Sequence, residues 1–119
     1  MEYDFCDRCP IVGEMADMKR ADLEAYDVLF SKLERYRPYS YQDLCKSGII
    51  EKIKVKGRNP FKMHEFRIDL PDITCRLYCL PRQERLEIYR LVVKKSAKLK
   101  PVDLEIATTR AKKHQQAHQ

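Results

Sequence analysis

The sequence predicts an α+β fold: a small antiparallel sheet, a meander, with an N-terminal helix packed on one face and a short C-terminal helix. Three observations carry that expectation. Apolar residues recur at three- and four-residue spacing between 17 and 37, the period of a helix with one buried face. The segments 63–70, 74–80 and 85–94 alternate apolar and polar residues, the period of a half-buried strand. Turn-forming residues separate these segments, so they pair as neighbours. Helices followed by a run of antiparallel strands make a two-layer domain. With 119 residues the chain can bury one modest core and not two. It is therefore read as a single domain, 1–119.

Each element has a local cause. Tyr3 and Phe5 alternate with Glu2 and Asp4, which predicts a short first strand. Pro10 and Gly13 are expected to break the chain after it. Tyr26, Leu29, Phe30, Leu33 and Tyr36 form the apolar stripe of the 17–37 helix, and read as core. Acidic residues lie early in it and Lys32, Arg35 and Arg37 late, as the helix dipole favours; Pro38 stops it. Ser40, Tyr41, Gln42 and Asp43 open one or two more helical turns, ended by Gly48. Ile49, Ile50 and Ile53 are expected to pack beneath a basic loop.

In 63–70, His64, Phe66 and Ile68 share the inner face; Glu65, Arg67 and Asp69 take the other. In 74–80, Cys75, Leu77 and Cys79 oppose Thr74, Arg76 and Tyr78. In 85–94, Tyr89, Leu91 and Val93 oppose Ile88, Arg90 and Val92. Pro81 to Glu84 reads as a hairpin loop. Pro101 opens the last helix at its first turn, expected to reach 113 with Leu104, Ile106, Ala107 and Ala111 inward. The tail, 114–119, is polar and expected to fray, leaving His114 and His118 without a role.

Composition narrows the function. No apolar run approaches the ~20 residues that span a bilayer, and the start of the chain lacks a signal-peptide core. The expected compartment is the cytoplasm, and no membrane partner is expected. Five cysteines, an odd count, argue against a disulfide framework. Cys6 and Cys9 have the spacing of half a zinc knuckle, but no second pair follows at a matching interval. Cys75 and Cys79 stand too far apart along a strand to clip one ion. No metal site and no cofactor is expected; the thiols read as small hydrophobes.

The net charge of +6 hides a gradient. Residues 1–50 hold 7 Lys/Arg against 10 Asp/Glu, a net of −3; residues 51–119 hold 17 against 8, a net of +9. A half-molecule with that excess attracts polyanions, although a solubilising face has the same composition. The loop containing Lys52, Lys54, Lys56 and Arg58 has the density of a phosphate-contacting segment.

Several pieces from Glu51 onward occur in a recognisable order. They are the basic segment, His64-Glu65-Phe66-Arg67-Ile68, Cys75-Arg76-Leu77-Tyr78, Val92-Val93-Lys94-Lys95-Ser96, and Pro101 followed by Glu105-Ile106-Ala107 and Arg110. The set, covering about 51–113, resembles the RelE/ParE toxin superfamily, in particular its HigB-like branch with phage-derived members. The chain departs from that pattern at three places. His64 takes the usual aromatic position, Arg90 stands where relatives often carry His, and the aromatic hydroxyl of the last helix is replaced near Ile106.

The resemblance implies the toxin of a type II toxin–antitoxin pair. Such an mRNA interferase is an endoribonuclease that cuts mRNA on the ribosome without a metal ion, restrained by a cognate antitoxin of helix-turn-helix type. Cleavage uses the RNA 2′-hydroxyl against the adjacent phosphate, so the protein needs a base, an acid and cations. Arg67, Arg76, Lys94 and Lys95 are the expected cations, converging on the non-core face. Glu65 is the nearest base; the cations around it are expected to lower its pKa, and orienting Arg67 is an equal reading. Tyr78 or Tyr89 is a candidate to stack on a base, although strand tyrosines pack in cores as often, and Arg90 is a candidate to contact RNA. His64 alternates with Phe66 and Ile68, which favours a packed histidine over a catalytic one. The competing reading is a non-catalytic protein of the same fold that binds gyrase, RNA or a host protein. A plain nucleic-acid-binding module is a third, resting on the charge gradient alone.

Overall fold

The structure, a computed structural model, describes residues 1–6, 10–54, 59–94 and 100–117. Its elements are β1 (Glu2–Phe5), α1 (Ile11–Ala21), α2 (Leu23–Tyr36), α3 (Tyr41–Lys46), β2 (Ile50–Lys52), β3 (His64–Asp69), β4 (Thr74–Arg82), β5 (Arg85–Lys94) and α4 (Pro101–Ala117). The five strands form one mixed sheet in the order β1-β5-β4-β3-β2. The meander β3–β4–β5 is antiparallel, as its alternation predicts. β2 adds an antiparallel strand outside β3, and β1 runs parallel to β5 at the other edge. The fold is α+β, with helices on the sheet.

The segment expected as one helix over 17–37 is two helices meeting at Asp22. The backbone of Asp22 is extended, its N–H closes α1 on the Met18 carbonyl, and its side chain accepts from Ala25 N to begin α2. Pro10 lies between β1 and α1, as expected, but Gly13 does not break the chain. Pro10 sits at the N-cap of α1, where a missing N–H costs nothing. Gly13 is an interior helical residue with nothing near its missing side chain, a local penalty of about 1 kcal/mol that burial of Ile11, Met15 and Met18 outweighs.

α2 lies over one face of the sheet. Tyr36 and Tyr3 flank the buried Phe66 ring, Phe30 stacks on Phe5, and the Tyr3 hydroxyl donates to the Leu33 carbonyl. Phe66, Leu77 and Leu91 align across three strands on this side, and Ile68, Cys75 and Val93 form the next row. Burial pushes the Cys75 thiol up to about 11 and the Cys79 thiol well above the ordinary range, in keeping with their use as small hydrophobes.

One register feature escapes simple alternation. A bulge at Tyr78/Cys79 leaves Tyr89 unpaired: Tyr78 stands opposite Arg90, and Cys79 opposite Ile88. The alternation expected in 85–94 therefore breaks. Ile88 shares a face with Leu91 and Val93, while Tyr89 turns with Arg90 to the other side, where it meets His114. The β4–β5 loop is Gln83–Glu84, tighter than expected, with Gln83 at φ 55.

α4 packs on the face opposite α2. Leu104, Ala107 and Ala111 are buried, and Arg110 donates to the Tyr89 carbonyl. The helix continues to Ala117, a turn beyond the expected end at 113, because His114 is docked against Tyr89 and Cys6.

Candidate functional site

The face that carries α4 is the polar face of the meander, and α4 divides it. On the β5 side, charged groups from three elements neutralise one another. Glu14 of α1 pairs with Arg90 of β5 and with Arg110 of α4 at 2.8 Å, and Arg90 also reaches Asp103 of α4 at 3.0 Å. Glu14 has a further duty. β1 pairs with β5 only as far as Ile88, and beyond it Glu14 Oε1 accepts the Leu91 N–H at 3.1 Å, standing in for a missing strand. Arg90 was expected to contact RNA. It is half-buried in this cluster instead, and its two carboxylate partners raise its pKa against the effect of burial.

On the β3 side, Arg67 and Arg76 stand directly opposite each other across β3 and β4, on the polar face as expected. Their environments differ. Arg67 is exposed and held by Asp69 at 3.2 Å, and Asp69 also accepts from the Thr74 hydroxyl. Those bonds hold the Asp69 carboxyl below the usual range, Arg67 contributing most. Arg76 was expected to project into solvent. It is only 5% exposed and forms a buried ion pair with Glu65, which is 7% exposed. The diagonal step from β4 to Glu65 is within reach of a long side chain, so the arginine folds down along the sheet.

Burial pushes the Glu65 carboxyl up; Arg76 opposes that and Glu51, opposite Glu65 across β2, adds to it. This corrects the expectation that surrounding cations lower it, because desolvation outweighs them. A raised carboxylate is a better proton acceptor near neutral pH.

A groove opens at the outer edge of β2, lined in part by Glu51, Lys52, Lys54, His64 and Glu65. Lys52 and Lys54 are exposed. His64 is half-buried, and its Nδ1 donates to the Lys62 carbonyl at 2.7 Å, which leaves Nε2 as the acceptor. Burial, with Lys52 nearby, lowers its pKa, so the ring is neutral at pH 7. Its rim position, neither buried in the core nor open, was legible only as membership of the inner face.

The structure thus brings together Glu65, Arg67 and Arg76, while Lys52 of β2, in register with His64, and Lys54 just beyond β2 line the neighbouring groove. Tyr78 was a stacking candidate but is 1% exposed beneath α4, where burial raises its hydroxyl pKa; it presents no ring to a base. Lys94 ends β5 opposite Thr74, beside Arg76's row. Its side chain, and Lys56, Arg58 and Lys95, lie outside the described residues. The roles of Glu14 and Asp103 had no local signal in the sequence, because their partners lie 13 or more positions away. Comparison with protein-family models, with curated proteins and with solved structures finds no match to this chain.

Proposed function

We propose that this chain contacts RNA with the β2–β3 end of its sheet and acts as a RelE/HigB-like toxin, a ribosome-dependent mRNA endonuclease restrained by an antitoxin. The observation that carries the reading is the direct cross-strand pairing of Arg67 with Arg76. Arg76 of that pair is neutralised by Glu65, so Arg67, exposed and held at 3.2 Å by Asp69, is the guanidinium left open to an anion. A phosphate at Arg67 gains a charge-assisted contact on the polar face of β3. The order strand, helices, meander, helix supports the same reading, as does the +9 balance after residue 50.

In the proposed reaction, Glu65 or His64 takes the proton of a 2′-hydroxyl. The freed oxygen attacks the adjacent phosphorus, and the 5′-oxygen leaves with a proton from a second group. Arg67 offsets charge on the phosphoryl oxygens, a role worth ~100-fold in rate for one preorganised donor. A second reading, a non-catalytic binder of RNA, gyrase or a host protein, is favoured by the burial of Arg76 against Glu65, which removes one cation and one base from contact with substrate.

Inducible expression with mapping of mRNA 5′ ends separates the two. Discrete cuts inside reading frames, lost in Arg67→Ala, support the nuclease. RNA binding without cuts supports the binder, and a supercoiling defect without cuts points to gyrase.

A further inference from the structure

A second cluster lies away from the arginine pair, where the N-terminal strand, β5 and the last turns of α4 meet. One ligand atom each from Asp4, Glu87 and His114 lies within 4.8 Å of the others. Glu87 is buried, and Asp4 and His114 are half-buried. The Cys6 thiol, also buried, sits 3.4 Å from His114 Nδ1. We propose that Asp4, Glu87 and His114 bind one divalent transition-metal ion of the zinc class, clamping β1 and α4 onto β5.

The donor set is two carboxylates and one imidazole. Zinc–ligand bonds of about 2.0–2.2 Å put tetrahedral donor atoms roughly 3.3–3.6 Å apart. Closing from 4.8 Å therefore asks for a movement of about 1 Å, within reach of the half-buried Asp4 and His114 tips. An imidazole nitrogen favours zinc-class ions over magnesium or calcium, which take oxygen shells. Three protein ligands leave a fourth position for water. Cys6 holds the ring from outside the ligand set, the service that metal-bound histidines commonly receive from a hydrogen-bonding neighbour.

Competing cations are present but loosely engaged. Glu87 accepts from Arg82 at 3.3 Å, from Arg85 at 3.4 Å and from the Tyr89 hydroxyl at 3.2 Å, and Arg85 stands 3.9 Å from Asp4. Close charge-assisted bonds run about 2.7–2.9 Å. The Arg82 and Arg85 side chains are 47% and 53% exposed, so both can turn to water at small cost. A carboxylate has about four acceptor positions, which leaves room on Glu87 for an ion.

Binding to the folded chain alone raises its stability by mass action. The test uses the full chain stripped with chelator, titrated with Zn2+ and followed by calorimetry and thermal unfolding. One ion per chain and a rise in Tm of about 5 °C are expected at saturation. His114→Ala and Asp4→Asn should each abolish both effects while leaving the far-UV circular dichroism unchanged, the aspartate variant serving if the histidine one misfolds. Co2+ should give the visible bands of a low-coordinate site, lost in Asp4→Asn. Zinc binding that survives in these variants, as capture by cysteines alone would, overturns the proposal. So does an equal Tm rise with Mg2+, or no stoichiometric binding at all.

Discussion

The polar face of the sheet is two surfaces joined along β4. Over β5, Arg90 and Arg110 are matched by Glu14 and Asp103, which reach them from α1 and α4. Over β3, Arg67 pairs with its neighbour Asp69 and stays exposed. Arg76 lies between the two, buried like the first group and placed opposite the second. An arginine on a polar strand face is thus no sign of binding in itself. What decides is whether a carboxylate from another element arrives to cover it. Where Glu14 and Asp103 do, the arginines fasten α1 and α4 to the sheet; Arg76, covered by Glu65, ties two strands, and Arg67 stays exposed.

Emptying the covered side should have the largest effect. Glu14→Ala leaves two guanidinium groups without their shared anion and the Leu91 N–H without an acceptor. A loss of about 3–5 kcal/mol is expected, read by urea unfolding. Lys52→Ala on the open side should change stability by no more than ~0.5 kcal/mol. Equal costs for the two would erase the distinction.

Arg76 comes next. Arg76→Ala strands a buried carboxylate and should cost about 3 kcal/mol. The double variant Arg76→Met with Glu65→Leu should recover to within ~1 kcal/mol of the wild type, because an apolar pair needs no partner. Failure of the double variant to recover would show that the pair does more than neutralise itself.

The sequence made the meander, its two faces and the cross-strand placement of Arg67 and Arg76 legible, since period-two alternation and turn residues are local signals. It did not reveal the burial of Arg76, because that depends on Glu65 being a diagonal neighbour and on the cover over β4. The bulge that turns Tyr89 toward His114 was equally hidden: one extra residue in a register leaves no mark in composition. Asp22, which divides 17–37 into two helices, has the side chain of an N-cap, but the apolar stripe runs on either side of it and masks the break. The Asp4, Glu87 and His114 cluster comes from three distant segments, so no spacing rule finds it.

Two smaller effects concern pH. The depressed pKa of His64 means the unfolded chain binds its proton more tightly. Stability from this group is complete above the unfolded value, near 6.5, and is lost as pH falls through the folded value. Unfolding midpoints should therefore drop between pH 7 and pH 5, and His64→Gln should flatten that drop. The smallest change is at Asp69. Its carboxyl, held low mainly by Arg67, should titrate closer to the ordinary aspartate range in Arg67→Ala, as followed by NMR. The linked stability, present above the unfolded pKa and lost as pH falls through the folded one, is that of an exposed pair, at most ~1 kcal/mol.

On the proposed reading RNA meets the open side and not the covered side. The most direct test is the salt dependence of RNA binding by the wild type and by the triple variant Lys52→Ala, Lys54→Ala, Arg67→Ala. Each lost contact with a single-stranded phosphate removes about 0.7 from the slope of log K against log salt. The triple variant should bind more weakly, with a slope shallower by roughly 2. An unchanged slope and affinity would mean that the β2–β3 end of the sheet is not where RNA binds.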